Sequence, residues 1–121
     1  MKMYCVFSME AIKAMGGNRG KMAAQAGHAY LHAWWDAEEK YNLTALAYRQ
    51  SGKAKKVALV VVTTDELVAM HERLKARSVG LSLVEDAGMT VFGGPTVTCL
   101  GIGPVPDGWL DEQVNALQVL I

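Results

Sequence analysis

Cysteine is scarce in this chain. Cys5 and Cys99 are the two among 121 residues, too few for the disulfide frameworks that hold small secreted domains together. Surplus charge is lacking too: twelve basic residues balance twelve acidic ones. That argues against a general nucleic-acid coat, because nonspecific phosphate binding draws on excess positive charge. The longest apolar run, Val57 to Val62, is far too short to cross a bilayer. Lys2 is not followed by the apolar stretch and small-residue cleavage site of an export signal. No internal repeat, low-complexity tract or Pro/Ser-rich linker divides the chain. What is present is 51% hydrophobic and 20% charged residues, a composition that buries a core and excludes disorder. The expectation is one domain spanning residues 1–121, reducing in its surroundings, cytoplasmic and not in a membrane.

Charge is polarised along the chain. Residues 1–60 hold nine basic and four acidic side chains and the remainder three and eight, so the halves carry +5 and −5. An anionic partner would meet the first half; two helix faces of different composition would produce the same count.

Met3 to Phe7 reads as a first strand. Gly16, Gly17 and Gly20 then interrupt the chain before a helical pattern from Lys21 to Lys40, with a shorter helix over Leu43 to Arg49. Lys56 to Thr63 is apolar at every position from 57 to 62, as in a strand buried on both faces. Thr63 and Glu66 stand at capping-box spacing, and the helix they open runs through Arg77, with Gly80 as its stop. Leu81 to Val84 and Thr96 to Ile102 read as strands, and Trp109 to Leu120 as an amphipathic helix capped by Asp107. Alternating strands and helices indicate a layered α/β domain. Lys56–Thr63, its helix and Leu81–Val84 would form a βαβ unit. Glu85 and Asp86 then fall at a carboxyl strand end, where such sheets bind ligands.

Gly16-Gly17-Asn18-Arg19-Gly20-Lys21 resembles a phosphate loop only superficially. Three residues rather than four separate Gly16 from Gly20, and Met22 stands where magnesium needs a hydroxyl. A glycine-rich turn feeding a helix N-terminus remains, with Arg19 and Lys21 beside backbone N–H groups that favour an anion. Lys21, Gln25, His28 and His32 follow at spacings of four, three and four, which places them on one helix face. A solvated face is the plain alternative, although glutamine and histidine are not required where solubility alone matters. His28, His32 and Asp36 also stand at helical spacing for a metal, but the supporting signature of a helical zinc site is absent.

A second constellation runs from Glu85 and Asp86 through the hydroxyls of Thr90, Thr96 and Thr98. A carboxylate can orient or deprotonate water, and hydroxyls can position a substrate carbonyl. Threonine is equally a favoured strand residue, and Asp86-Ala87-Gly88 is ordinary turn chemistry. Cys5 or Cys99 beside His28 would suggest a thiol nucleophile, but both lie within expected strands and read as small core residues. Trp34 and Trp35 cannot both face the core of one helix; an exposed one would serve a dimer interface or stack on an RNA base.

Taken together, Gly20-Lys21-Met22-Ala23-Ala24-Gln25-Ala26-Gly27-His28-Ala29 and the stretch from Asp86-Ala87-Gly88-Met89-Thr90 through Thr98 to Leu100-Gly101-Ile102-Gly103-Pro104 resemble the type 2 peptidyl-tRNA hydrolase family. The family pattern is close to G-K-x-A-A-Q-x-x-H-A, then D-A-G-x-T, seven residues, T, and L-G-I-G-P. The resemblance covers most of the chain. It implies a three-layer α/β/α domain with a mixed four-stranded sheet flanked by helices, commonly a homodimer. It also implies cleavage of the ester joining a peptide to the 3′ ribose of tRNA, with peptidyl-tRNA as partner and no metal or organic cofactor. Carried over residue by residue, the catalytic set is Lys21, Gln25, His28, Asp86, Thr90 and Thr98, with Arg19, Gly20 and Thr96 binding substrate. Asp86 would activate water, Lys21 stabilise negative charge, the threonines hold substrate, and Gln25 and His28 orient the ester or the lysine. Gly93-Gly94-Pro95-Thr96 departs from the family's Ala-Pro-Gly-Thr. A non-catalytic relative that binds an RNA 3′ end, a partner protein or a small anionic ligand is the alternative, and a different ester or amide hydrolase on the same scaffold is a third reading.

Overall fold

A computed structural model describes residues 1–86, 96–109, 114 and 116–121. Among these described residues nine elements follow in chain order: β1 (Lys2–Ser8), α1 (Met9–Ala14), α2 (Arg19–Lys40), α3 (Asn42–Gln50), β2 (Lys56–Val61), α4 (Thr64–Leu74), β3 (Leu81–Asp86), β4 (Thr96–Val105) and β5 (Gln118–Val119). The architecture is α/β, with a mixed open sheet in the order β3-β4-β1-β2-β5 flanked by helices. β1 runs parallel to β2 and antiparallel to β4, and β3 is antiparallel to β4.

Side-chain alternation along the central strand divides the core. Tyr4 and Val6 of β1 pack with Leu59, Val61, Leu67, Met70, Leu74, Leu100 and Ile102 beneath α4. Cys5 and Phe7 point the other way, with Ala29, Val84 and Cys99 beneath α2. A strand buried on both faces carries apolar residues at successive positions, and β1 does. Helix α2 meets the sheet along Ala29, Ala33 and Ala37, all essentially buried. The approach is so close that a Cβ on Gly101 would collide with the Ala29 carbonyl, and one on Gly80 with the backbone at Ala33. The Leu100-Gly101-Ile102 run therefore has a packing logic: Leu100 and Ile102 fill the α4 side while Gly101 admits the helix on the other.

Several expectations are corrected. Among the described residues the sheet has five strands rather than four. Residues 110–113 and 115 of the expected last helix lie outside the described residues, but its end is not helical. Gln118 and Val119 pair with Val60 and Leu59 as an added antiparallel strand, and Leu120 N–H donates to Ala58 C=O at 2.9 Å. The open edge of β2 supplies unpaired backbone groups that a β-prone tail satisfies. Asp107 forms ion pairs with the Met1 amino group at 3.4 Å and Lys2 Nζ at 3.9 Å, at the start of β1; the helix start it was expected to cap lies outside the described residues. The β2–α4–β3 segment is not an adjacent βαβ unit. β2 and β3 share a direction, but β1 and β4 lie between them. Being next to an edge, β2 is buried fully only at Leu59 and Val61, not on both faces.

Helix α1 was not foreseen. Ser8, the last residue of β1, accepts from Ala11 N–H at 3.0 Å, and Gly16 and Gly17 end the segment at φ +65° and +68°, a region open chiefly to glycine. Elsewhere the local signals hold. Thr63 Oγ1 accepts from Glu66 N–H at 3.1 Å, and α3 and α4 fall within a few residues of their expected spans.

Candidate active site

Helix α2 begins two residues before its expected start. Asn18 is its N-cap, accepting from Lys21 N–H at 3.0 Å, so a donor expected to be available to an anion is held by the helix's own cap. Arg19 and Gly20 occupy the exposed first turn. One turn further in, Lys21 and Gln25 share a face and meet the end of the β3–β4 pair.

Lys21 Nζ stands 2.7 Å from Asp86 Oδ2, with the carboxylate side chain 5% exposed and the lysine 22%. Gln25 Nε2 donates to the same oxygen at 3.4 Å, and Gln25 Oε1 accepts from Thr98 Oγ1 at 3.0 Å. Gln25 thus donates at one end of its amide and accepts at the other, which neither Glu nor Lys can do. Its burial explains why a polar side chain sits in line with Ala29, Ala33 and Ala37. The ion pair is short and charge-assisted. Removing either partner would leave a charge in a poorly solvated place, the costly case for ion pairs.

The position of Thr98 depends on an irregularity. Val84 pairs with Cys99 and Glu85 with Val97, which leaves Thr98 as an extra residue in β4. Such a bulge re-aims a side chain. Val97 packs on the α4 side, whereas Thr98 and Cys99 both meet Gln25, Cys99 through an Sγ donation to the Gln25 carbonyl at 3.5 Å. Regular alternation would have turned Thr98 away. Asp86 lies two residues beyond Val84, on the α2 side of β3, while Glu85 is exposed.

Four of the expected residues therefore come together: Lys21, Gln25, Asp86 and Thr98. Thr96 is the strand partner of Asp86. Thr90 lies outside the described residues, as does the departure at 93–95. His28 is exposed, with its ring 5.7 Å from that of His32, which in turn stacks on Trp35 at 5.2 Å. The four-residue polar stripe thus divides, with Lys21 and Gln25 on the sheet and the two histidines outward. Asp36 does not join those histidines. Its carboxylate accepts from Leu81 N–H at 3.0 Å and pairs with Lys40 at 2.7 Å. Among the described residues no three His, Cys, Asp or Glu side chains gather to hold a metal.

The thiols are core groups. Both are free and buried. Hydrogen bonding with Cys99 and burial push the Cys5 thiol well above its ordinary range, the opposite of what activates a nucleophile. What sequence reasoning missed is the bulge and the Cys99 contact behind Gln25; the one signal for them is Thr98-Cys99, a polar residue followed by a core residue within a strand.

A buried carboxylate paired with an ammonium, with an amide and a hydroxyl beyond it, has the chemistry that a hydrolase or a polar-ligand binder on an α/β sheet can use. Comparison with known proteins narrows the class. The model of the family described as peptidyl-tRNA hydrolase PTH2 matches residues 1–120. A peptidyl-tRNA hydrolase of Methanopyrus kandleri is 40% identical over 103 residues, covering 85% of this chain and 87% of the relative. Those of Methanocaldococcus jannaschii and Methanothermobacter thermautotrophicus are 32% and 36% identical over 106 residues each, covering 88% and 84% of this chain and 91% and 88% of theirs. The chain belongs to the peptidyl-tRNA hydrolase PTH2 family.

Proposed function

We propose that this protein hydrolyses the ester between a peptide, or an N-blocked amino acid, and the 3′ ribose of tRNA, with peptidyl-tRNA as its substrate in the cytoplasm. The observation that carries the reading is the Lys21–Asp86 contact at 2.7 Å, which unites the two family motifs in one site. Asp86 orients the attacking water and takes its proton. Lys21 pairs with that carboxylate in the resting state and, as the tetrahedral oxyanion develops, offers its ammonium to the new charge. Gln25 holds the carboxylate in place, and Thr98 holds Gln25. Thr90 and Thr96 at the two ends of 90–96, with Arg19 and Gly20 at the start of α2, contact the substrate, and His28 stands at the rim. Self-association, which the family resemblance implies, would use exposed apolar side chains such as Trp35, Leu43 and Leu46.

The test is release of tRNA from N-acetyl-aminoacyl-tRNA by the wild type beside Lys21→Ala and Asp86→Asn. Wild-type turnover with a loss of about 10²–10³ in each variant is expected. Turnover by either variant at the wild-type rate would overturn the assignment. Absent turnover with intact tRNA binding would replace it by the non-catalytic reading.

A further inference from the structure

A well-formed hollow lies away from the Lys21–Asp86 pair, on the opposite flank of α2. It is a cavity of about 500 Å³ between α2, α3 and the start of β2, within the size range of small-ligand sites. Its α2 wall is Gly27, Tyr30 and Trp34, its α3 wall Tyr48 and Arg49, and Lys56 lies at its edge. Three aromatic rings and two cations converge there, without an acid among the described lining residues.

Lys56 is held in place. Its Nζ donates to Tyr48 Oη at 3.2 Å and to the Ala54 carbonyl at 3.0 Å, and it stands 5.8 Å and 5.6 Å from the ring centres of Tyr30 and Tyr48. Tyr48 is anchored in turn by donating to Lys55 C=O at 2.9 Å. Ala54 adopts φ +47°, a left-handed conformation that non-glycine residues rarely take. That conformation aims the carbonyl which fixes the ammonium. An ammonium has three donors, and two of them are taken here among the described residues. The rim strengthens the charge: Arg49, Lys53, Lys55 and Lys56 fall within eight positions, and no acid occurs between Glu39 and Asp65.

From this we infer that the cavity is a nucleotide site, in which Trp34 and Tyr30 hold a planar base and Lys56 with Arg49 holds its phosphate. Aromatic faces stack on any base, whatever its sequence; a fixed ammonium beside an arginine supplies the anion contact. Neither an apolar peptide nor a plain anion uses both halves. The nucleotide is either a free one or an unpaired residue of an RNA strand, and its assignment to the substrate's RNA rests on the hydrolase reading above.

The test records amide shifts of Gly27, Gly52 and Ala54 and the Trp34 indole signal in the intact 15N-labelled protein. The probes are adenosine 5′-monophosphate, adenosine, inorganic phosphate and an unpaired RNA hexamer. The monophosphate is expected to shift these signals at millimolar concentration, with adenosine and phosphate each binding about tenfold more weakly, since each loses one half of the site. Lys56→Gln and Trp34→Leu, checked for unchanged thermal midpoints, should each weaken the monophosphate about tenfold; Arg49→Gln, whose side chain is exposed, serves if either variant unfolds. Shifts by the hexamer as well place the nucleotide in an RNA strand, and shifts by the monophosphate alone place it free in solution; both support the site. No shift by either probe, or shifts that the variants leave unchanged, overturns it. Because ester hydrolysis is not the readout, loss of the hydrolase reading would leave this result standing.

Discussion

Along α2, the flank that meets β3 and β4 carries buried polar contacts, whereas the flank that meets α3 and β2 is open and aromatic. On the first, Lys21 and Gln25 reach a buried carboxylate and a bulged threonine, and each polar group has its partner. On the second, Gly27, Tyr30 and Trp34 border a hollow with one anchored cation. Between them Ala29, Ala33 and Ala37 lie flat on the sheet. One helix can do both because its 3.6-residue period sends neighbouring side chains to opposite sides. The difference teaches what each flank is suited for. Pre-set donors around a carboxylate suit a bond-changing step, in which reorganisation is the main obstacle. An open aromatic volume suits holding a group that does not react.

The comparison breaks most sharply at the polar flank. Lys21 and Asp86 act as one unit, so the double variant Lys21→Ala/Asp86→Asn should lose no more than the more damaged single variant, about 10²–10³ in kcat rather than the product of the two. Single-turnover tRNA release measures it; multiplicative losses would mean two independent roles.

Glycines on the two flanks sharpen it next. Gly101→Ala drives a methyl into the Ala29 carbonyl and should cost about 3 kcal/mol, the upper end for overpacking. Gly27→Ala, where a Cβ meets nothing within 4 Å, should instead stabilise by up to about 1 kcal/mol through helix propensity. Urea midpoints of the pair decide whether α2 is pressed onto the sheet on one side only.

Thr98→Val is a finer probe. It leaves Gln25 Oε1 without its donor in a buried place and should cost about 1–3 kcal/mol, lowering turnover as Gln25 loosens. Thr98→Ser should restore both, as read by thermal midpoint and initial rate. A valine variant with wild-type rate and stability would show that the bulge has no bearing on the site.

The smallest effect lies away from both flanks. A hydrogen bond from Lys75 Nζ at 2.9 Å holds the exposed Glu72 carboxyl below the usual glutamate range. A carboxyl lowered on folding contributes stability above its unfolded pKa and loses it as pH falls through the folded one. Lys75→Gln should therefore leave neutral-pH stability little changed and shrink the difference between wild type and variant further in acid. Urea midpoints from about pH 7 to about pH 3 give the readout, and a difference that grows in acid would contradict it.

Local rules made much of the chain legible. Caps, glycine stops and hydrophobic period are carried by residues within a few positions of one another, so α2, α3, α4 and the strands β1 to β4 could be placed from sequence. Lys21 and Gln25 were visible as a helical pair, and Asp86 and Thr98 as members of a hydrogen-bonding group at strand ends. Helix α1 escaped because six residues are too few to show a period. The terminal strand escaped because a two-residue pairing is decided by the free edge of β2, not by Gln118 and Val119 themselves.

By itself, then, the sequence determined the α/β class, most of the elements and the residue types available for chemistry, since these follow from composition and short-range spacing. Only the tertiary structure decided which of those residues meet. Lys21 and Asp86 are 65 positions apart and Gln25 and Thr98 are 73 apart, and no local rule spans such separations. Strand order put β4 between β3 and β1, one extra residue at Thr98 turned a hydroxyl toward Gln25, and the helix face sent His28 outward. Those outcomes depend on which surfaces bury together, a property of the whole chain.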